Sequence, residues 1–102
     1  MITFTRTASC PADKFPALMA FAREIAGYVK SKVGVDLKVQ VPPTGGNPFR
    51  VRWVAQYDNL AALEQILQKL LSDPKYMELA GKASAQGITI PGSAFDEVWL
   101  DV

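Results

Sequence analysis

The sequence predicts an α+β domain in which one antiparallel sheet of four strands is covered on one face by helices. Four short segments alternate apolar with polar residues, the pattern of half-buried strands. Two longer segments repeat apolar residues every three or four positions, the pattern of helices that pack by one face. The 102 residues, 49% hydrophobic and 21% charged, suit one packed domain, which we expect to span residues 1–102.

The first two elements are predicted to be a strand and a long helix. Residues 2–8 alternate and are rich in β-branched side chains, which favours a strand. A pair of prolines frames the start of the helix, where we expect Asp13 to be the cap. Apolar residues then recur at helical spacing as far as about Val33, and Gly34 is placed to end the helix in a left-handed conformation.

The middle of the chain is predicted to form a β-hairpin. Residues 35–41 alternate most clearly, and residues 49–57 alternate again. Between them, residues 42–48 are dense in proline and glycine, which favour turns. In the second strand, one face should carry Phe49, Val51, Trp53, Ala55 and Tyr57, and the other Arg50, Arg52, Val54 and Gln56.

The chain ends with a broken helical segment and a last strand. Asp58 or Asn59 can cap one helix, and Asp73 followed by Pro74 can begin a second, shorter one. Residues 94–102 alternate once more. The order is therefore β-α-β-β-α-β, the split βαβ pattern of ferredoxin-like folds, and right-handed crossovers place the helices on the same side of the sheet.

The other face of this sheet is left uncovered and is predicted to be chemically mixed. Its side chains are Val54, Phe95 and Trp99 beside Lys38, Arg50, Arg52 and Glu97. A second copy of the chain would bury the apolar members and could pair the charges, so we expect a two-fold homodimer whose sheets face each other. The alternative is an ordinary solvated sheet face.

Composition limits the partners and the location of the protein. Eleven basic and ten acidic residues leave a net charge of +1, too little to attract nucleic acid. No stretch has the length and apolarity of a membrane span, and the N-terminus lacks the apolar run of a signal peptide, so we expect no membrane anchor. The single cysteine excludes an internal disulfide and favours a cytoplasmic location.

The absence of histidine limits the chemistry. A histidine-ligated haem, an imidazole general base and a Ser-His-Asp relay are excluded. The carboxylates are scattered among caps and polar faces, so we expect no metal and no cofactor. A helix dipole could lower the thiol pKa of Cys10, but with no imidazole to act as base we interpret this residue as a bystander.

Two segments, Val51–Glu64 and Leu71–Tyr76, resemble the dimeric α/β-barrel superfamily, in particular its NIPSNAP-like and antibiotic-biosynthesis-monooxygenase-like branches. In both, the third strand ends in an aromatic residue, an acidic residue and a helix-capping residue. A helix follows, and after it comes an Asp-Pro-x-aromatic step. The resemblance implies two sheets closed into a barrel across a homodimer, often with a cavity between sheet and helices. Cofactor-free monooxygenases of this superfamily carry an asparagine on the first strand, and the corresponding position in this sequence falls near Thr5 or Arg6. They also carry a tryptophan near the end of the third strand, where this sequence has Tyr57, unless Trp53 takes that role.

Four residues are candidates for ligand binding: Arg6, Arg52, Trp53 and Tyr57. The two aromatics could stack a flat ligand between sheet and helices, or they are core residues with their polar tips satisfied. Arg52, with its neighbour Arg50, could hold a carboxylate or phosphate, or it makes an ion pair at an interface. Arg6 lies near the expected sheet centre, where its charge needs a partner if buried.

Two functions follow from these candidates. The first is a dimeric barrel that binds a small, largely apolar or aromatic molecule, or merely assembles. The alternative is a cofactor-independent monooxygenase-like enzyme that acts on an aromatic substrate. An oxygenase requires a preformed cavity beside Tyr57, whereas a purely structural dimer should fill that space with Phe15, Met19 and Leu63.

Overall fold

The computed structural model describes all 102 residues and has the predicted order of elements. Its strands and helices are β1 (Ile2–Ser9), α1 (Phe15–Val33, after a short 3-10 turn at Ala12–Lys14), β2 (Lys38–Gln40), β3 (Arg50–Tyr57), α2 (Leu60–Leu71), α3 (Pro74–Ala85) and β4 (Phe95–Leu100). None of the helices combines the length and the apolarity needed to cross a membrane.

One antiparallel sheet contains all four strands in the order β2-β3-β1-β4, which confirms the split βαβ arrangement. In the central strand, Arg6 lies opposite Trp53 of β3 and opposite Asp96 of β4. Residues directly opposite each other on neighbouring strands share a face, so these three side chains lie on one side of the sheet. It is the side that the helices cover, because Trp53 packs in the core with residues of α1.

The core lies between α1 and strands β1 and β3. Leu18 and Val29 of α1 are almost fully buried and belong to the same apolar cluster as Val51 and Trp53 of β3. Burying one such aliphatic side chain contributes about 1.5–3 kcal/mol to folding. A smaller cluster, made of Ile2, Phe4 and Leu63, holds α2 against the end of the sheet.

Two predicted caps fix the step between α2 and α3. The side chain of Asn59 accepts a hydrogen bond from the backbone N–H of Ala62 at 2.9 Å and begins α2. Asp73 begins α3, because one carboxylate oxygen accepts from the backbone N–H of Lys75 at 3.1 Å. Its other oxygen accepts from the Tyr28 hydroxyl of α1. The Asp-Pro step therefore both starts α3 and ties it to α1.

The prediction that Asp13 caps the first helix is wrong. Asp13 lies inside a 3-10 turn that is closed by a 2.9 Å hydrogen bond from the Lys14 N–H to the Pro11 carbonyl. Residue 14 precedes α1 and makes no capping bond with its side chain. The end of α1 is as predicted, since Gly34 has φ = 74° and donates to the Lys30 carbonyl at 3.0 Å.

Two strands are shorter than their alternating patterns predict. The predicted strand 35–41 is reduced to Lys38–Gln40, because β2 is an edge strand that pairs with β3 over only three positions, and prolines follow at 42 and 43. The last strand occupies Phe95–Leu100 rather than 94–102. All six of its residues are exposed, which makes β4 the less protected edge of the sheet.

Candidate functional site

A cleft of about 550 Å³ opens between the helix-covered face of the sheet and helices α1 and α3. Its size is that of typical small-molecule sites. Most of its walls are apolar, with Phe21 and Val29 from α1 and Ala80 and Ala83 from α3. Tyr57 lines it, so the void that an oxygenase requires beside this residue is present.

The three residues that would have filled this space lie elsewhere. Phe15 packs edge-on against Phe49, with ring centres 6.0 Å apart, outside the cleft. Met19 packs on the outer part of the core, and Leu63 belongs to the small cluster at the end of the sheet. The cleft is thus preformed in a single chain.

A bidentate ion pair lies in the cleft. Arg6 Nε donates to Asp96 Oδ1 at 2.7 Å, and Arg6 Nη2 donates to Asp96 Oδ2 at 2.9 Å. The side chains are 38% and 43% exposed, which puts the pair at the mouth rather than at the bottom. The hydrogen bond to Asp96 raises the pKa of Arg6, against the opposing effect of burial, so the guanidinium stays charged. Asp96 is the partner that the charge of Arg6 requires.

Two tyrosines add hydroxyl groups to the cleft. Tyr57 comes from the end of β3 and Tyr76 from the first turn of α3. Burial, followed by the nearby Tyr76, raises the pKa of Tyr57, so its phenol remains protonated at neutral pH. Tyr76 makes a smaller contribution to the raised pKa of Arg6. The Arg6–Asp96 pair and the two tyrosines therefore add polar groups to a cleft whose walls are mostly apolar.

Trp53 forms a wall of the cleft and is anchored in the core. Its indole N–H donates to the Ala22 carbonyl of α1 at 3.1 Å, and its ring meets Phe21 edge-on at 6.2 Å. Only 7% of the residue is exposed. Of the two interpretations of this residue, the contacts favour a core aromatic whose polar tip is satisfied.

Arg52 lies on the opposite, uncovered face of the sheet and does not reach the cleft. Its Nε donates to Gln40 Oε1 of the neighbouring strand at 2.8 Å. The carboxylate of Asp36, near the start of β2, pairs with Lys30 at 2.9 Å and not with Arg52. Arg52 borders a second, more polar depression together with Arg50, whose Nε is buried without a partner. The structure thus brings Arg6, Trp53 and Tyr57 together and leaves Arg52 apart.

Sequence reasoning missed Asp96 and Tyr76. Asp96 has the same parity as Val98 in the last strand, a signal that places it on the helix-covered face, but its pairing with Arg6 depends on the register of β1 and β4. Tyr76 is the aromatic residue of the Asp-Pro-x-aromatic step, and that motif by itself indicates a fold and not a binding residue.

Cys10 contributes nothing to this site. Cys10 is buried, and its burial, with a smaller effect of Asp13, raises the pKa of the thiol rather than lowering it. Such a thiol is a poor nucleophile at neutral pH. No three Cys, Asp or Glu side chains lie close enough together to hold a metal ion.

Solved structures with this architecture span nearly the whole chain. An uncharacterised NIPSNAP domain protein from Burkholderia xenovorans superposes with a TM-score of 0.80 at 14% identity, covering 100% of this chain and 95% of the other. A NIPSNAP family protein from Agrobacterium tumefaciens gives 0.77 at 17% identity, covering 99% and 85%. The chain has their fold. An antibiotic biosynthesis monooxygenase gives 0.73 at 11% identity, covering 100% and 99%.

These comparisons confirm the resemblance to NIPSNAP-like and antibiotic-biosynthesis-monooxygenase-like proteins at the level of the fold. No protein-family model matches the chain, and the search of curated proteins found no match. At such low identities the shared fold carries no assignment of residue roles. The function must therefore be argued from the cleft itself.

Proposed function

We propose that the cleft binds a small, largely apolar molecule between the sheet and the helices. The observation that carries this proposal is a preformed void of about 550 Å³ with largely apolar walls and a few polar groups. Each Å² of ligand surface buried there contributes about 25 cal/mol, so about 200 Å² would contribute roughly 5 kcal/mol before the costs of association. Association costs about 4 kcal/mol or more, so hydrogen bonds to the polar groups of the cleft must add to this gain.

Binding of the neutral dye Nile red tests this proposal. We expect blue-shifted emission that saturates at one dye per chain. Ala80 lines the cleft on α3, and Ala80→Phe should fill part of the void and weaken binding at least tenfold. Ala85 lies on the same helix but is exposed outside the cleft, so Ala85→Phe is the matched control and should bind within twofold of wild type. Unsaturable binding, or equal binding by both variants, would count against a cleft site.

The proposal includes a second copy of the chain on the uncovered face of the sheet. Phe95 and Trp99 of β4 lie there with 49% and 64% of their surface exposed, next to Val54 of β3 across the central strand. A two-fold axis along β1 would set β3 of one copy over β4 of its partner, and so bring Arg52 near the partner's Glu97. Apolar burial and opposite charges both support this homodimer.

A second candidate function is cofactor-independent oxygenation of an aromatic substrate. The observation that favours it is that the void reaches Arg6 and Tyr57, where an oxygen substituent of a phenol could be held. One atom of dioxygen would enter the substrate and the other would leave as water, with the electrons supplied by the substrate. Oxygen uptake above the uncatalysed rate with electron-rich naphthols tests this candidate. Dye binding without oxygen uptake would leave the binding function alone.

A cytoplasmic location completes the proposal. It is supported by the single, buried cysteine, which suits a reducing compartment. Fractionation of cells that produce the natural protein would test it.

A further inference from the structure

We infer that the molecule held in this cleft is electrically neutral and carries a hydroxyl, carbonyl or amide group, rather than an acid group. The inference rests on the proposed binding function and names the class of ligand. It follows from the charge balance of the cleft and from the hydrogen-bonding groups that remain free there.

The charge of the cleft lining sums to zero. Arg6 and Asp96 are the only charged side chains among the residues that line it, and they neutralise each other through two short hydrogen bonds. An anion that entered would lose its hydration without meeting an unbalanced positive charge, and the Asp96 carboxylate would repel it. A neutral molecule meets neither penalty.

Hydrogen-bonding capacity nevertheless remains at the pair. A guanidinium has five N–H groups, and Arg6 uses one on Nε and one on Nη2 for Asp96, which leaves three. Both oxygens of Asp96 retain a lone pair for a further donor. The phenols of Tyr57 and Tyr76 line the same space. A ligand oxygen that accepts and a ligand O–H or N–H that donates can therefore be satisfied together without changing the charge.

The uncovered face of the sheet offers a contrast. There Arg52 contacts only the neutral amide of Gln40, so its charge is not cancelled by a carboxylate within hydrogen-bonding distance. An arginine in that condition is the type that binds acids. Arg6 in the cleft is instead neutralised by the Asp96 carboxylate, and this difference points to a neutral ligand.

The test is displacement of Nile red at pH 7 by 2-naphthamide and by 2-naphthoate, which have nearly the same shape and differ in charge. We expect the amide to bind at least tenfold more tightly than the acid. Asp96→Asn keeps the size of the side chain but leaves Arg6 unbalanced, so the acid should gain at least tenfold in affinity relative to the amide. Asp101→Asn, an exposed carboxylate outside the cleft, is the matched control and should change neither affinity.

The outcomes separate the two levels of the proposal. If the dye binds and the acid displaces it as well as the amide does, or the amide fails to displace it, the neutral-ligand inference is overturned and the binding function stands. An affinity for the acid that does not rise relative to the amide in Asp96→Asn also overturns the inference. If the dye does not bind at all, the binding function falls and this inference with it. The wild-type comparison needs no variant, so the test does not depend on the folding of Asp96→Asn.

Discussion

The substitution Trp53→Phe separates the two roles considered for this tryptophan. It removes the indole N–H that donates to the Ala22 carbonyl at 3.1 Å, a loss of about 1 kcal/mol for a net hydrogen bond. It also removes roughly 40 Å³ of side chain from a site that is 7% exposed, and a cavity costs about 24 cal/mol per Å³, or ~1 kcal/mol. The free energy of unfolding should therefore fall by about 2 kcal/mol.

Urea denaturation measures this change, and a thermal midpoint lowered by roughly 10 °C should accompany it. Because the indole is held by the core, we expect affinity for Nile red to change less than threefold. Tyr57→Phe is the comparison: it removes only a hydroxyl group, so it should change unfolding by less than about 1 kcal/mol. If Trp53→Phe left stability unchanged and abolished dye binding, Trp53 would be a stacking partner of the ligand and our assignment would fail.

Three further results are expected. Trp99→Lys should convert a dimer to monomers, as measured by light scattering. Leu100 is 68% exposed and lies on the opposite face of β4, so Leu100→Lys should leave the mass unchanged. Equal masses for the two variants would contradict the proposed interface. Asn59→Ala should lower the free energy of unfolding in urea by about 1 kcal/mol through loss of the cap, and no change would show that the cap is dispensable. The hydrogen bond from Tyr28 lowers the pKa of Asp73, and the same bond raises the pKa of Tyr28. The wild type should therefore be more stable than Tyr28→Phe near pH 7, and this difference in the free energy of unfolding should disappear as acid protonates the carboxylate and again as alkali ionises the phenol. A difference that is independent of pH would refute the linkage.

Most of the fold was predictable because local pattern and tertiary packing agree. The eight-residue strand β3 alternates along its whole length, and its inward residues Val51, Trp53 and Ala55 are all buried. The Asp73 cap also acts locally, through a neighbouring backbone N–H. Strand lengths were less predictable, since alternation describes which face a residue takes but not whether an edge strand finds a pairing partner. For that reason β2 is shorter than its pattern.

The site was predictable only in part. Arg6 stood out as a charge within an apolar-leaning strand, and the aromatic residues Trp53 and Tyr57 share its face through the sheet register. Asp96 is distant in sequence, and only the pairing of β4 with the central strand β1 brings it to the guanidinium. The alternation of β3 already placed Arg52 on the face opposite Trp53 and Tyr57, so its exclusion from the cleft was predictable from parity though not from residue type.

Strand β4 links the proposed interface to the proposed ligand site. Its alternation sends Asp96 into the cleft, while its neighbour Glu97 lies on the uncovered face. The strand is exposed along its length and pairs only with β1, so its position is less constrained than that of β3. A second copy packed on the uncovered face would hold β4 in place and with it the carboxylate that neutralises Arg6. Under this arrangement, dimerisation and the preference for a neutral ligand depend on the same strand, and a monomeric variant should lose part of that preference.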